Sequence, residues 1–317
     1  MTDLRNARVL VTGAASGIGE QMAYSAAARG AQVIGWDVDG DGLERVADAL
    51  AARGSTIVTD VVDVTDREAV YRAASELDEA LGGVDVLILN AGIVDPATVL
   101  DVSDDMVSTV MDVNVMALFW CTKAFLPGMV ERGDGHVVTI ASITSVVPTP
   151  GMATYTVSKH AAYGFGETLR TELRTQAPGV TSTVVMPFFI ATGMFEGAGT
   201  IPLPFFNKHL EPAEVAEQVL DAVAMDKERV VLPKIGVIVP STNTVVEHDL
   251  NAVGVPGVTM HSGRFFVEAP DLSSDAAFLH FLDLIRETIP LAVRDVMTCG
   301  PDHILMGMSA ETFWGGK

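Results

Sequence analysis

Val9-Leu10-Val11-Thr12-Gly13-Ala14-Ala15-Ser16-Gly17-Ile18-Gly19-Glu20 is the stretch on which the reading of this chain turns. A short apolar run ends abruptly in a loop with three glycines, and a helix is expected to begin near Ser16. Gly13 permits the tight turn, Gly17 lets backbone approach a pyrophosphate, and Gly19 lets the helix pack closely on the strand. The unpaired N–H groups of that helix, with Ser16 and Ile18 in its first turn, would face the phosphates. Glycines also serve plain turns, but their place between a first strand and a helix favours the dinucleotide reading.

The next strand, in the stretch AQVIGWDVDG, ends in Asp37. A carboxylate there can accept hydrogen bonds from both hydroxyls of an adenosine ribose and repels a 2′-phosphate. No Lys or Arg stands at Ala14, Ala15, Ser16 or Val38 to reverse that preference. NAD is therefore the expected cofactor, with NADP less favoured. The competing reading makes Asp37 the opener of a turn with Asp39 and Gly40.

Working outward, β-branched runs (VLVT, QVIGW, TIVTD, VDVLIL, HVVTIAS, TSTVVM, RVVL) alternate with longer helical stretches as far as Pro233. Strands alternating with helices predict an α/β fold, a doubly wound parallel Rossmann-type sheet flanked by helices. Strands apolar on both sides also account for the high apolar content, because a parallel sheet is covered on both faces. Two long helices are expected over Met106–Arg132 and Met152–Gln176.

Several functional classes are disfavoured. With 20 Lys+Arg against 41 Asp+Glu, a net charge of −21, the chain repels phosphate backbones, so nucleic acid is not an expected partner. No run reaches the roughly eighteen uninterrupted apolar residues expected of a membrane span. Charged residues in MTDLRNARVL stand where a signal peptide needs an apolar core, so a cytoplasmic location is expected. The two cysteines, Cys121 and Cys299, make neither a disulfide framework nor a metal site, and no metal is expected.

Seven pieces then occur in order: TGAASGIG at 12–19, Asp63-Val64, Asn90-Ala91-Gly92, Asn114, Ser142, YTVSK at 155–159, and Pro187 to Thr192. In this set the chain resembles the short-chain dehydrogenase/reductase family over residues 5–233. The resemblance implies a nicotinamide cofactor and alcohol–carbonyl interconversion. It makes Tyr155 the acid/base, Lys159 its activator and a ligand of the nicotinamide ribose, Ser142 the residue orienting the substrate oxygen, and Asn114 the holder of a relay water. Asp63 and Val64 resemble the adenine-contacting pair, and Ile190 and Thr192 match the stretch that grips the carboxamide. Each residue alone has a structural reading: Ser142 as a turn residue, Asn114 as a packing amide, Tyr155 as a core aromatic, Lys159 as a solvated helix face.

The chemistry fits. A phenol has a reference pKa near 10, and Lys159 lies one helical turn from Tyr155, so its cation and an oxidised nicotinamide are expected to lower that value. A fall of about three units corresponds to roughly 4 kcal/mol. One departure from the family pattern is Pro187-Phe188 where Pro-Gly is common, which predicts an altered nicotinamide shelf.

The segment MFEGAGTIPLPFFNKHL, at 194–210, occupies the place of the family's substrate lid. Phe195, Ile201, Leu203, Phe205 and Phe206 there, with Val146, Val147 and Met152, predict a mostly apolar pocket. The expected substrate is a hydrophobic secondary alcohol or ketone, and TGMFEG resembles the retinol- and hydroxysteroid-dehydrogenase-like branch. The two long helices match the family's dimer faces, which implies a homodimer or homotetramer.

From Lys234 the pattern restarts as a partial βαβαβ segment, giving expected domains at 1–233 and 234–317. KIGVIVPSTNTVVEHDL, VTMHS, a helix over Ser274–Thr298 and DHILMGMSAETFWGG resemble the first half of the aspartate/glutamate racemase superfamily, near its maleate-isomerase and arylmalonate-decarboxylase-like members. Ser241 and Asn243 sit where those proteins bind a carboxylate. Met308-Ser309 stands in place of the catalytic cysteine, and Cys299 precedes the strand, so an independent active site is not expected. The alternatives to an NAD-dependent dehydrogenase are a racemase, isomerase or decarboxylase acting through this segment, and a non-catalytic dinucleotide-binding regulator.

Overall fold

The computed structural model describes residues 1–146, 149–188, 190, 210–232, 235–240, 260–265, 274–298 and 303–306. The chain divides into two compact units, Met1–Leu232 and Pro233–Lys317.

The first unit alternates strand and helix: β1 (Arg8–Thr12), α1 (Gly17–Ala28), β2 (Gln32–Asp37), α2 (Gly40–Ala51), β3 (Ile57–Val61), α3 (Arg67–Leu81) and β4 (Val86–Leu89). There follow α4 (Asp104–Met111), α5 (Ala117–Arg132), β5 (Gly135–Ile140), α6 (Ala153–Gln176), β6 (Val180–Pro187), α7 (Pro212–Ala224) and β7 (Arg229–Leu232). The strands form one parallel sheet in the order β3-β2-β1-β4-β5-β6-β7. This is the doubly wound architecture expected of the alternation. β1 lies between β2 and β4, with Val9 opposite both Val33 and Val86. The order reverses at β1, so its C-terminal end and that of β4 border the crevice where such sheets bind ligands.

Burial explains the apolar strands. Val9, Leu10, Val11, Val86, Leu87 and Ile88 are fully buried, each removal from water favouring the fold by about 1.5–3 kcal/mol. Helix α1 packs beside α7 on one face of the sheet, and α3 packs beside α5. Local chemistry sets the helix ends. Asp39 caps α2 by accepting from Gly42 N, Asp66 caps α3 by accepting from Glu68 N and Ala69 N, and Gly82 and Gly133 close α3 and α5 with positive φ.

The helix expected over Met106–Arg132 is not uniform. Between α4 and α5, residues Asp112–Met116 widen into one turn of π-helix. The composite run Asp104–Arg132 is also long and apolar enough to cross a membrane by composition, a property that a search for unbroken apolar runs overlooks. In this structure it contributes Val110, Leu118, Cys121, Phe125 and Met129 to the buried interior.

The second unit contains β8 (Ile235–Pro240), β9 (Met260–Phe265), α8 (Asp275–Met297) and β10 (His303–Met306). Its three strands are parallel in the order β10-β8-β9. The first strand in the centre is how a doubly wound sheet begins. α8 lies tightly on β9: a Cβ added to Gly263 would stand 2.5 Å from Ala292 O. Ser241, Asn243, Cys299, Met308 and Ser309, which carry the racemase resemblance, lie outside the described residues.

Candidate active site

The glycine turn has the geometry its sequence implies. Gly13 and Gly17 have φ of +70° and +59°, a region that side chains disfavour. A Cβ on Gly19 would lie 1.9 Å from Gly13 O, so that glycine is a packing requirement of α1 rather than part of the cleft wall. Ser16 precedes α1 without capping it through its side chain, which leaves the first-turn N–H groups to other partners. Asp37, at the end of β2, accepts from Ala15 N at 2.9 Å and Asp39 N at 3.0 Å. Its carboxylate thus holds the glycine turn against the end of the neighbouring strand.

Across the crevice, Asn90 donates through Nδ2 to Thr12 O at 2.9 Å and Gly13 O at 3.2 Å. Thr12 Oγ1 in turn accepts from Asn90 N and Ala91 N at 3.0 and 3.1 Å. These bonds lock the turn after β4 to the turn after β1. Thr12 was not singled out from the sequence, although its place beside Gly13 is the signal that could have marked it.

A cleft of about 510 Å³ opens along these strand ends. Its wall includes Gly13, Ser16, Gly17, Ile18, Asp37, Asp63, Val64, Asn90 and Ala91 on the side of the glycine turn, Ser142, Tyr155, Lys159, Pro187 and Ile190 on the side of α6, and Gly92 beside Lys159. Trp36, Val38, Val62, Ile93, Val94, Val113, Ile140, Ala141 and Phe188 complete it. Thr192, Val147 and the lid at 194–209 lie outside the described residues, and Val146 is not part of the wall. Among the described residues, no group of three His, Cys, Asp or Glu side chains could hold a metal ion.

Ser142 stands two residues beyond β5 and caps a 3₁₀ turn, Ile143–Ser145, its Oγ accepting from Thr144 N at 3.2 Å. Tyr155 and Lys159 project from the first turns of α6, with Lys159 Nζ 5.6 Å from the centre of the Tyr155 ring. Lys159 Nζ donates to Ile140 O at 3.0 Å, tying α6 to the end of β5. Both side chains are buried.

Burial works against the expected fall in the tyrosine pKa. It pushes the Tyr155 phenol up to about 12, against a smaller downward pull from the Ser142 hydroxyl. The Lys159 ammonium, desolvated in its turn, falls to about 8. The fold alone therefore moves Tyr155 away from neutrality, because removing the phenolate from water costs more than the serine returns.

Asn114 lies deeper than the other proposed site residues. It sits in the π turn, 1 % exposed, behind the cleft wall and not in it. Its Nδ2 donates to Ile93 O and Ser158 Oγ, each at 2.9 Å, and its Oδ1 accepts from Ile93 N at 2.8 Å. Ser158 Oγ donates onward to Tyr155 O at 2.8 Å. Gly92 lies where these groups converge, since a Cβ there would be 3.3 Å from Asn114 Oδ1 and 3.4 Å from Lys159 Nζ. Phe188 packs with Val94 against Met152 and Tyr155, making an apolar surface beside the phenol.

These features suit a dinucleotide: a positive-φ glycine turn, an uncapped helix start, a carboxylate at the end of β2 and a lysine at the far end of the same cleft. Residues 7–200 match the short chain dehydrogenase family, and the chain belongs to it. It is 38% identical over 229 residues to epidermal retinol dehydrogenase 2 of Homo sapiens, a match covering 72% of this chain and 74% of that protein. It is 36% identical over 226 residues to estradiol 17-beta-dehydrogenase 11 of Homo sapiens, covering 71% and 74%. Among solved structures, a short chain dehydrogenase/reductase from Burkholderia phymatum in complex with NAD superposes with a TM-score of 0.67 at 26% identity, covering 73% of this chain and 90% of that one. An alcohol dehydrogenase from the archaeon Thermococcus sibiricus complexed with 5-hydroxy-NADP gives 0.63 at 26% identity, covering 71% and 95%.

Proposed function

We propose that the protein is an NAD-dependent alcohol dehydrogenase or ketone reductase acting on an apolar secondary alcohol or ketone of retinol- or hydroxysteroid-like character. The observation that carries this reading is the meeting of Ser142, Tyr155 and Lys159 at one end of a cleft whose other end holds the glycine turn and Asp37. NAD is favoured over NADP because Asp37 stands at the ribose end, while Lys159 is the one cation among the described residues of the wall.

A bound nicotinamide supplies the hydride acceptor or donor. Ser142 Oγ positions the substrate oxygen. The proton passes between that oxygen and Tyr155 Oη. Burial keeps the phenol protonated at neutral pH, and the Lys159 cation would draw its pKa back towards the range in which it can give that proton to a carbonyl oxygen. Lys159 holds the nicotinamide ribose and lends positive charge to the phenol's surroundings. Phe188, Val94 and Met152 exclude water beside the phenol and favour an apolar substituent on the reacting carbon. The retinol and estradiol dehydrogenase relatives support that substrate class. The exposed Phe119 on α5 and Val157 on α6 support self-association through these helices as a homodimer or homotetramer.

The test is turnover of cyclohexanol and 2-octanol with NAD, and of their ketones with NADH, by wild type and Tyr155→Phe. A loss of about 10³-fold or more in kcat with NADH affinity kept is expected. Equal turnover by both proteins removes the mechanism. NADH binding with no turnover of any alcohol or ketone would leave a dinucleotide-binding regulator in its place.

A further inference from the structure

We propose that Ser145 is a positioning residue for the alcohol–carbonyl reaction, whose single hydroxyl holds the backbones of Ser142 and Lys159 in one frame. The inference rests on the oxidoreductase reading of the cleft and adds a residue to which no motif points.

Ser145 Oγ donates to Lys159 O at 2.7 Å and accepts from Ser142 N at 3.3 Å. It is 3 % exposed, so water cannot take over either bond. The 3₁₀ turn that carries Ser142 is thereby closed reciprocally, Ser142 Oγ receiving Thr144 N while Ser145 Oγ receives Ser142 N. The same oxygen fastens that turn to α6 at Lys159. Lys159 is also held from its other end, because its Nζ donates to Ile140 O at 3.0 Å, two residues before Ser142. Strand end and turn therefore grip α6 at one residue through two bonds. Tyr155 lies one helical turn earlier on the same helix, so the distance between the Ser142 hydroxyl and the Tyr155 phenol depends on how firmly the turn is tied to α6.

Proton transfer is sensitive to that distance. A displacement of about 1 Å between positioned groups can cost on the order of 10²-fold in rate while binding of the remainder of the ligand is unaffected. Ser145 does not line the cleft and touches neither the dinucleotide end nor the substrate surface. Its loss is predicted to lower kcat and spare cofactor affinity. With Lys159 still tied to Ile140 O, Ser145 acts on the reaction through Ser142, so its effect should vanish once Ser142 has lost its own hydroxyl.

The full-length protein serves for the test, with variants Ser145→Ala, Ser145→Cys, Ser145→Thr, Ser142→Ala and the Ser142→Ala/Ser145→Ala double. Cys fills the space of the hydroxyl with a somewhat larger atom and a much weaker donor, so it carries the comparison if Ala destabilises the turn too far for folding. NADH affinity is read from fluorescence, and kcat and KM from reduction of cyclohexanone and 2-octanone. Ser145→Ala and Ser145→Cys are expected to lower kcat ~10-fold with the NADH Kd changed by less than about twofold. Ser145→Thr, which keeps the hydroxyl, should restore most of the rate, and the double variant should be no slower than Ser142→Ala. A Ser145→Cys kcat within about twofold of wild type, or a double variant whose loss equals the product of the two single losses, overturns the proposal. Wild-type protein that turns over no ketone removes the oxidoreductase reading itself, a result distinct from either.

Discussion

Tyr155 and Lys159 are one turn apart on α6, and burial moves the phenol up to about 12 and the ammonium down to about 8. Sequence spacing alone suggested the opposite direction for the tyrosine, because spacing registers a neighbouring charge but not the loss of solvent. The same physics acts on His136 at the far end of β5. That ring is fully buried, its Nδ1 3.1 Å from Thr2 Oγ1 and its Nε2 2.7 Å from Thr183 Oγ1. Burial pushes it down to about 4, with Asp226 pulling weakly upward. An unfolded histidine titrates near 6.5, so the unfolded chain takes up the proton first as pH falls. The stability conferred by the neutral ring is complete above about 6.5 and is lost as pH falls through about 4. Between pH 7.5 and 5 the loss is about 2 kcal/mol. Urea denaturation at the two pH values should show wild type losing that much more than His136→Gln. An identical pH dependence in the two proteins refutes the assignment.

At the scale of elements, the π turn at Asp112–Met116 is the departure that a helical sequence pattern could not foretell. Its widened turn carries Asn114, whose amide satisfies both backbone groups of Ile93 and reaches Ser158 on α6. One side chain thus connects the turn after β4, the α4–α5 run and α6. Asn114→Ala removes the partner of Ile93 N and O, half-buried at the cleft wall, a cost of about 0.5–1.5 kcal/mol for each bond lost. Urea unfolding should show that loss, and kcat for ketone reduction should fall ~10-fold or more through movement of α6. Unchanged stability and rate would show that the turn holds without the amide.

For the whole molecule, Met1–Leu232 and Pro233–Lys317 are two compact units. The first has its own seven-stranded sheet and a continuous interior, and every described residue of the cleft wall belongs to it. A chain ended after Leu232 is expected to fold, to bind NADH with a Kd within about twofold of the full-length value, and to elute as the same oligomer in light scattering. An insoluble product, or a change of oligomeric state, would assign the second unit a part in folding or assembly.

By itself, the sequence determined what short-range geometry controls. Gly13 and Gly17 announce a turn that only residues tolerant of positive φ can make, Asp37 announces the end of β2, and Tyr155 with Lys159 share a helix face through a spacing of four. Alternating strands and helices likewise made the parallel sheet legible, since a strand buried on both faces must be apolar throughout. Which distant groups surround the cleft follows instead from packing across the sheet. That packing put Asn114 behind the wall, Phe188 against Tyr155, the carbonyl of Ile140 on the Lys159 ammonium, and Ser145 between Ser142 and Lys159. Backbone conformation is set by near neighbours in the chain, whereas hydrogen bonds across the fold and the desolvation that shifts a pKa depend on what the sheet brings together.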